Sequence, residues 1–160
     1  MIAATMRVGA GVTDDRPAAL RRLLERLTLG VLVTIGKDGR PQLSNVRYRY
    51  TADGPDAGTV RISVTDGRVK TRNLRRDPRA ALHATDRAYA GWVVGEGDAG
   101  LTDVTTDPHD SAADALVALY RSIAGEHPDW DEFRAAMAAQ RRLVVELPVT
   151  RVYGTPPGSG

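Results

Sequence analysis

A chain of 160 residues without a single cysteine has room for one ordinary domain, and it excludes disulfides, thiolate zinc sites and thiol nucleophiles together. Its formal net charge is +2, from 22 basic and 20 acidic side chains, and no stretch approaches the roughly 20 apolar residues of a membrane helix. The start, MIAATMRVGAGVTDD, is split by Arg7 and lacks the apolar centre of a signal peptide, so the expectation is a soluble, cytoplasmic protein.

Residues 1–13 are expected as a flexible N-terminus. Asp14, Asp15 and Pro17 then supply the acceptor and preset φ of a helix start. Leu20, Leu23, Leu24 and Leu27 follow at i, i+3, i+4 and i+7 as one apolar face, and Gly30 ends the region. GVLVTIG (30–36) and QLSNVRYRY (42–50) are strand-like runs flanking Asp38-Gly39, a hairpin pair whose turn positions both call for positive φ. Strand periodicity sets Gln42, Ser44, Val46, Tyr48 and Tyr50 on one face, and Leu43, Asn45, Arg47 and Arg49 on the other. After the breaker TADGPDAG (51–58), TVRISV (59–64) reads as a third strand. A short helix is predicted from about Val69, stopping before Pro78, which disfavours the helical conformation at Asp77.

RAALHAT (79–85) and YAGWVVGEGDAGL (89–101) form the next strand pair, and the glycines at 91, 95, 97 and 100 point to bulges or close backbone approach. Asp107-Pro108 is expected to open a helix with Leu116, Leu119, Tyr120 and Ile123 on one face, ended by Gly125. A second helix from about Asp129 presents Trp130, Phe133 and Met137. RRLVVELPVTRVY (141–153) closes the domain as a strand that Pro148 bends or confines to an edge, and 154–160 are expected as a flexible tail. Six strands in hairpins with few helices predict a mainly β (α+β) fold, a small antiparallel barrel over residues 14–153. The sequence has no Walker loop, and no GxGxxG joins a strand to a helix as dinucleotide binding requires.

Charge is concentrated in RVKTRNLRRDPR (68–79), with six basic side chains against Asp77. That segment carries 6 − 1 = +5, leaving 16 − 19 = −3 elsewhere. Arg68, Val69, Lys70, Thr71 and Asn73 follow a strand and enter a helix start, where unpaired N–H groups and the helix dipole favour phosphate. Arg68 offers a planar fork, Lys70 a point charge and Thr71 a hydroxyl. A solvated basic helix face explains the same residues. Ordinary solvent exposure explains Gln42, Ser44 and Asn45, and three scattered histidines have no metal-ligand spacing. With no nucleophile elbow or acid–base pair evident, any chemistry would belong to a cofactor.

Three stretches, LGVLVTIGKDGRPQLSNVRY (29–48), RVKTRNLRRDPRAAL (68–82) and ALYRSIAGEHPDWDEFRAAM (118–137), resemble the pyridoxamine-5′-phosphate-oxidase-like split β-barrel superfamily. Within it they look like the actinobacterial flavin/deazaflavin oxidoreductases that use coenzyme F420. The resemblance implies a six-stranded antiparallel split β-barrel with flanking helices, and a homodimer with two sites at its interface. By similarity, Arg68, Lys70 and Thr71 would hold the cofactor phosphate, with Val69 in the same turn and Asn73 supporting it. Gln42, Ser44 and Ser63 would line the ring system, and Asn45 and Val64 beside them would also contact the cofactor. The partner's Val46, Arg47, Tyr48, Tyr50 and Arg142 would hold the ring or an anionic tail, and Trp92 would wall the ring. The tail region TRVYGTPPG (150–158) lacks the histidine of the true oxidases' substrate-phosphate motif, which argues against vitamin B6 oxidation.

The expected reaction is hydride transfer from reduced F420 to an electron-poor small molecule, F420 being preferred over FMN because its glutamate-rich tail suits the surplus of arginines. FMN-dependent oxidation or reduction on the same barrel and cofactor carriage without turnover are the alternatives. A nucleic-acid-binding barrel ranks last, because aromatic content is 5% and no aromatic–basic stacking platform appears.

Overall fold

The computed structural model describes residues 14–158, so the N-terminal segment 1–13 lies outside the described residues. The first element, α1 (Arg16–Arg26), has Pro17 in its first turn. Asp14 rather than Asp15 supplies the acceptor at its start, through Arg16 N–H at 3.1 Å. The strands β1 (Leu29–Ile35) and β2 (Pro41–Arg47) pair antiparallel. Their connection departs from the expected turn: Gly39 has φ +79° but Asp38 is not left-handed. Instead Gly36 N–H closes on Arg40 O and the Asp38 carboxylate accepts from Arg40 N–H, so one glycine suffices.

The chain continues through β3 (Arg49–Thr51), β4 (Thr59–Thr65), α2 (Val69–Arg76), β5 (Arg79–Thr85), β6 (Trp92–Asp98) and β7 (Gly100–Leu101). It ends with α3 (Ser111–Ala124), α4 (Trp130–Ala139), β8 (Arg142–Pro148) and β9 (Arg151–Thr155). Two antiparallel sheets result, ordered β2-β1-β5-β6-β9 and β3-β4-β8-β7. This is the split-barrel fold.

The expected six strands become nine because three of the runs each change sheet. The crossings fall at Tyr48, at Ala99 and at Val149–Thr150. A strand that serves two sheets must break its ladder at the corner. Pro148 fits the last corner, since it has no N–H to donate. Gly154 and Thr155, expected in the flexible tail, instead end β9, where they pair with Val93 and Trp92 of β6.

Alternating residues of both sheets fill the interior: Leu32, Tyr48, Tyr50, Val60, Ile62, Val64, Leu82, Val93, Leu143, Val145 and Leu147 are all buried. Helix α1 adds Leu20, Leu23 and Leu24 to this core. Tyr48 donates its hydroxyl to the Leu24 carbonyl at 2.8 Å, satisfying an orphan acceptor in the last turn of α1. At the other end of β1 a polar relay sits under α2: Asn73 donates to Thr34 Oγ1, Thr34 to Gln42 Oε1, and Gln42 to Ser44 Oγ.

The α3–α4 hairpin packs outside the four-stranded sheet, with Leu116 and Leu119 over Val144. Its first helix starts at Ser111, three residues after the expected Asp107-Pro108 opening, because Asp110 is the effective cap. The Asp110 carboxylate accepts from the N–H groups of Thr106, Asp107 and Ala113 and from the Thr105 hydroxyl. Foremost the Thr106 N–H, then those of Ala113 and Asp107, hold its pKa down to about 2. No helix among the described residues is long and apolar enough to cross a membrane.

Candidate cofactor cleft

A cavity of about 570 Å³ opens where α2 begins, between the ends of the strands and the α3–α4 hairpin. Its floor comes from Asn45, Val46 and Arg47 on β2, Ser63 to Thr65 on β4, and Arg142 at the start of β8. Arg68 and Lys70 enter from the turn into α2. Ladder register explains the meeting of segments so distant in sequence: Thr65 pairs with Arg142, and β4 runs directly into the α2 turn.

Arg142 is fixed by its own chain. Its Nε donates to Ser63 Oγ at 2.9 Å, its Nη2 to Ser63 O at 3.2 Å and its Nη1 to Gln140 Oε1 at 3.2 Å. All three acceptors are neutral. Among the described residues no carboxylate pairs with Arg47, Arg68, Lys70 or Arg142. Burial, then the neighbouring Arg68 and Arg142, pull the Lys70 pKa below its ordinary 10.5. Burial and then Arg68 likewise lower that of Arg142. Crowded cations lacking a counter-charge favour an anion, and the first N–H groups of α2 have no intrahelical partner.

The rest of the basic run behaves differently. Arg75 pairs with Asp66 at 2.7 Å and Arg79 with Asp77 at 2.7 Å. Arg72 donates to Gly67 O, and Arg76 to Ile35 O and Asn73 Oδ1. The +5 segment therefore delivers two cations to the cleft, and Arg47 and Arg142 add two from elsewhere.

Of the residues expected to hold a cofactor, Asn45, Val46, Arg47, Ser63, Val64, Arg68, Lys70 and Arg142 are gathered at this cleft. Val46, Arg47 and Arg142 line it together with Arg68 and Lys70 of the same chain, where the expectation had placed them on the partner. Other expectations are corrected. Tyr48 and Tyr50 are fully buried core residues, since the inward face of β2 continues into the second sheet. Tyr50 Oη accepts from Arg21 and is held there at 2.8 Å. Thr71 is buried and donates its hydroxyl to Thr65 O at 3.1 Å, so that side chain locks the turn instead of meeting a phosphate.

Gln42, Ser44 and Asn73 belong to the polar relay under α2. Gln42, Asn73 and the exposed Val69 border a separate hollow with Arg72 and Arg76. Trp92 stands on the outer face of the five-stranded sheet beside His83 and Tyr153, at ring separations of 6.2 and 6.1 Å, outside the cleft of its own chain. The sequence reading missed the opposite wall of the cleft, built by α3 and α4. Its only signal was an apolar helix face, which reads equally well as core.

An antiparallel split barrel with an acid-free cationic cleft defines a protein suited to a phosphorylated ligand. The family model for pyridoxamine 5′-phosphate oxidase matches residues 17–155, and the chain belongs to this family. An F420 reductase of known structure is 26% identical, with a TM-score of 0.58 over 83% of this chain and 94% of its own. A conserved hypothetical protein of Mycobacterium tuberculosis is 22% identical, with a TM-score of 0.64 over 96% of this chain and 90% of its own. A heme binding protein of Mycobacterium smegmatis is 23% identical, with a TM-score of 0.61; the match covers 89% of this chain and 55% of that one. The last two likenesses speak to the fold. Flavin-type oxidoreductases are the functional class of this family.

Proposed function

We propose that this protein is a cytoplasmic oxidoreductase that uses coenzyme F420, delivering hydride from the reduced deazaflavin to an electron-poor organic small molecule. The observation that carries this reading is the convergence of Arg47, Arg68, Lys70 and Arg142 without a carboxylate partner. The 26% likeness to an F420 reductase supports it. Arg68 and Lys70 would take the cofactor phosphate, with the first N–H groups of α2 behind them. Arg47 and Arg142 are left for further negative charge, which the glutamate tail of F420 brings and FMN does not. Bound there, the cofactor supplies two-electron hydride chemistry. The chain's own residues would bind the phosphate and orient the ring, with Asn45, Ser63 and Val64 of the cleft floor beside it.

The neutralisation of Arg75 and Arg79 by Asp66 and Asp77 weakens the charge argument for F420 and favours FMN as the second reading. Titration of the purified protein with each cofactor, followed by absorbance, decides between them. F420 is expected to bind more tightly at low salt, with the gap narrowing as exposed charges are screened over about 10 Å at 0.1 M. Equal affinities, or tighter FMN, would reject F420 and leave the cleft in place. Cofactor carriage without turnover is separated by testing whether bound reduced cofactor reoxidises on adding acceptors.

The same reading includes a homodimer. The outer face of the five-stranded sheet carries Leu29 (62% exposed) and Leu43 (60%) beside Val31, Val33 and Tyr153, an apolar patch that suits a second copy. Asn45, Val46 and Arg47 border both this face and the cleft, so the two are contiguous. Sedimentation at micromolar concentration is expected to show a dimer, and Leu43→Asp a monomer with weakened cofactor binding. A wild-type monomer that binds cofactor fully would overturn this arrangement.

A further inference from the structure

The cleft segregates charge from apolar surface. Its cations all stand on the sheet and the α2 turn, whereas the α3–α4 wall presents Leu116, Tyr120, Ile123, Phe133 and Met137 and no ionised side chain. Four charged groups of the hairpin are paired with one another: Arg121 with Glu126 at 2.6 Å and Arg134 with Asp114 at 2.7 Å, and Glu126 also accepts from Trp130 Nε1. Helix α4 buries none of its residues fully. Its Trp130 and Phe133 join Tyr120 and His127 in edge and tilted ring contacts, with centroids 5.0–5.8 Å apart. Aromatic rings and a thioether in a partly open wall suit a flat apolar ligand. A charged group seated there would lose hydration without gaining a partner.

We infer that the α3–α4 wall is the substrate side of the cleft, taking an uncharged planar molecule with an aryl or conjugated body between Phe133, Met137 and Ile123 and the cofactor. The assignment rests on the proposed cofactor reading, and it adds the class of substrate. The phosphate end of the cleft anchors the cofactor through Arg68 and Lys70, and the apolar wall selects a neutral partner for the ring. Tyr120 carries the only hydroxyl of that wall, so a substrate carbonyl directed there has one donor to meet.

The test uses benzalacetone, a neutral aryl enone, and cinnamate, its anionic isostere, titrated calorimetrically into the empty protein and into protein saturated with oxidised F420 or FMN. Oxidised cofactor prevents turnover. Saturable benzalacetone binding is expected in the empty and the loaded protein, and at least about fivefold weaker cinnamate binding to the loaded one. Phe133→Ala and Met137→Gln should each weaken benzalacetone roughly fivefold to tenfold, the scale of losing one apolar contact, with cofactor affinity unchanged. The Gln variant keeps side-chain length and helix propensity, so it guards against collapse of α4. In a Trp92→Phe background Trp130 is the sole tryptophan, and its emission reports both the folding of the hairpin and occupancy of the wall. Competition between benzalacetone and cofactor would place the ring itself against the wall and overturn the inference. Tighter cinnamate binding, unaltered affinity in both variants, or no saturable site, as when a second copy fills the wall, would overturn it as well. Failure of the cofactor reading shows separately, as absent binding of either cofactor, while the empty-protein titrations still decide the wall.

Discussion

Lys70→Ala is expected to weaken cofactor binding by about 1.5–3 kcal/mol, the scale of a hydrogen bond to a charged group, or roughly tenfold to more than a hundredfold. Arg68→Ala should lose a similar amount, and Arg68→Lys should recover part of it, because the ammonium keeps the charge and lacks the planar fork. Arg79→Ala is the control. Its side chain is exposed and already paired with Asp77, so binding should barely change. Titration of all four variants with F420 and FMN separates a specific grip from diffuse attraction. Equal small losses in the three alanine variants, vanishing in salt, would mean that the run only steers the ligand and that the phosphate binds elsewhere.

Removing Lys70 should leave the melting temperature of the empty protein unchanged or raised. Its pKa is lowered by burial and by Arg68 and Arg142, so the folded state holds that proton less tightly than the unfolded chain. Stability contributed by this group therefore rises with pH through the lowered pKa toward 10.5. Over the same alkaline interval the ammonium charge disappears and cofactor affinity falls. Opposite pH trends in stability and in binding, both lost in Lys70→Ala, identify the group.

Gly97→Ala is expected to destabilise the fold by about 3 kcal/mol or more, at the upper end of what overpacking costs. A Cβ at Gly97 would fall well inside contact distance of the Pro148 carbonyl oxygen. That oxygen belongs to the backbone at the corner where the chain passes from β8 to β9. The corner is fixed on both sides, by Val149 N–H on Gly58 O and by Thr150 N–H on Glu96 O. Neither partner can retreat without breaking a ladder. For a domain of this size the loss corresponds to a fall of roughly 6–12 °C in Tm. Gly100→Ala is the matched control, since its nearest neighbour would be Glu146 O at 3.9 Å. Thermal melts followed by circular dichroism compare them directly, and a Gly97→Ala protein as stable as Gly100→Ala would refute the close approach.

The local rules determined much on their own. The i, i+3, i+4 spacing of Leu20, Leu23 and Leu24 sets the buried face of α1. Pro78 limits α2 to Val69–Arg76 because a residue before proline leaves the helical region. Alternation correctly divides 42–50 into two faces, and the turn bearing Arg68 and Lys70 is visible as cations at the entry to a helix. These are short-range effects, carried by dihedral preference and by side chains a few residues apart.

Only the tertiary structure decided what each face meets. Alternation sets Gln42, Ser44, Tyr48 and Tyr50 on one side, but it takes the crossing at Tyr48 to bring two of them under α2 and two into the core. Thr71 resembles a phosphate ligand by position, yet the Thr65 carbonyl that captures its hydroxyl comes within reach only once the β4–α2 turn has closed. Arg142 joins Arg68 and Lys70 through ladder register across 79 residues from Ser63. The amphipathic face of α4 looks like core in sequence and becomes a cleft wall because the barrel interior is already filled by other strands. Such outcomes depend on long-range pairing and on competition for one interior, which residue spacing does not encode.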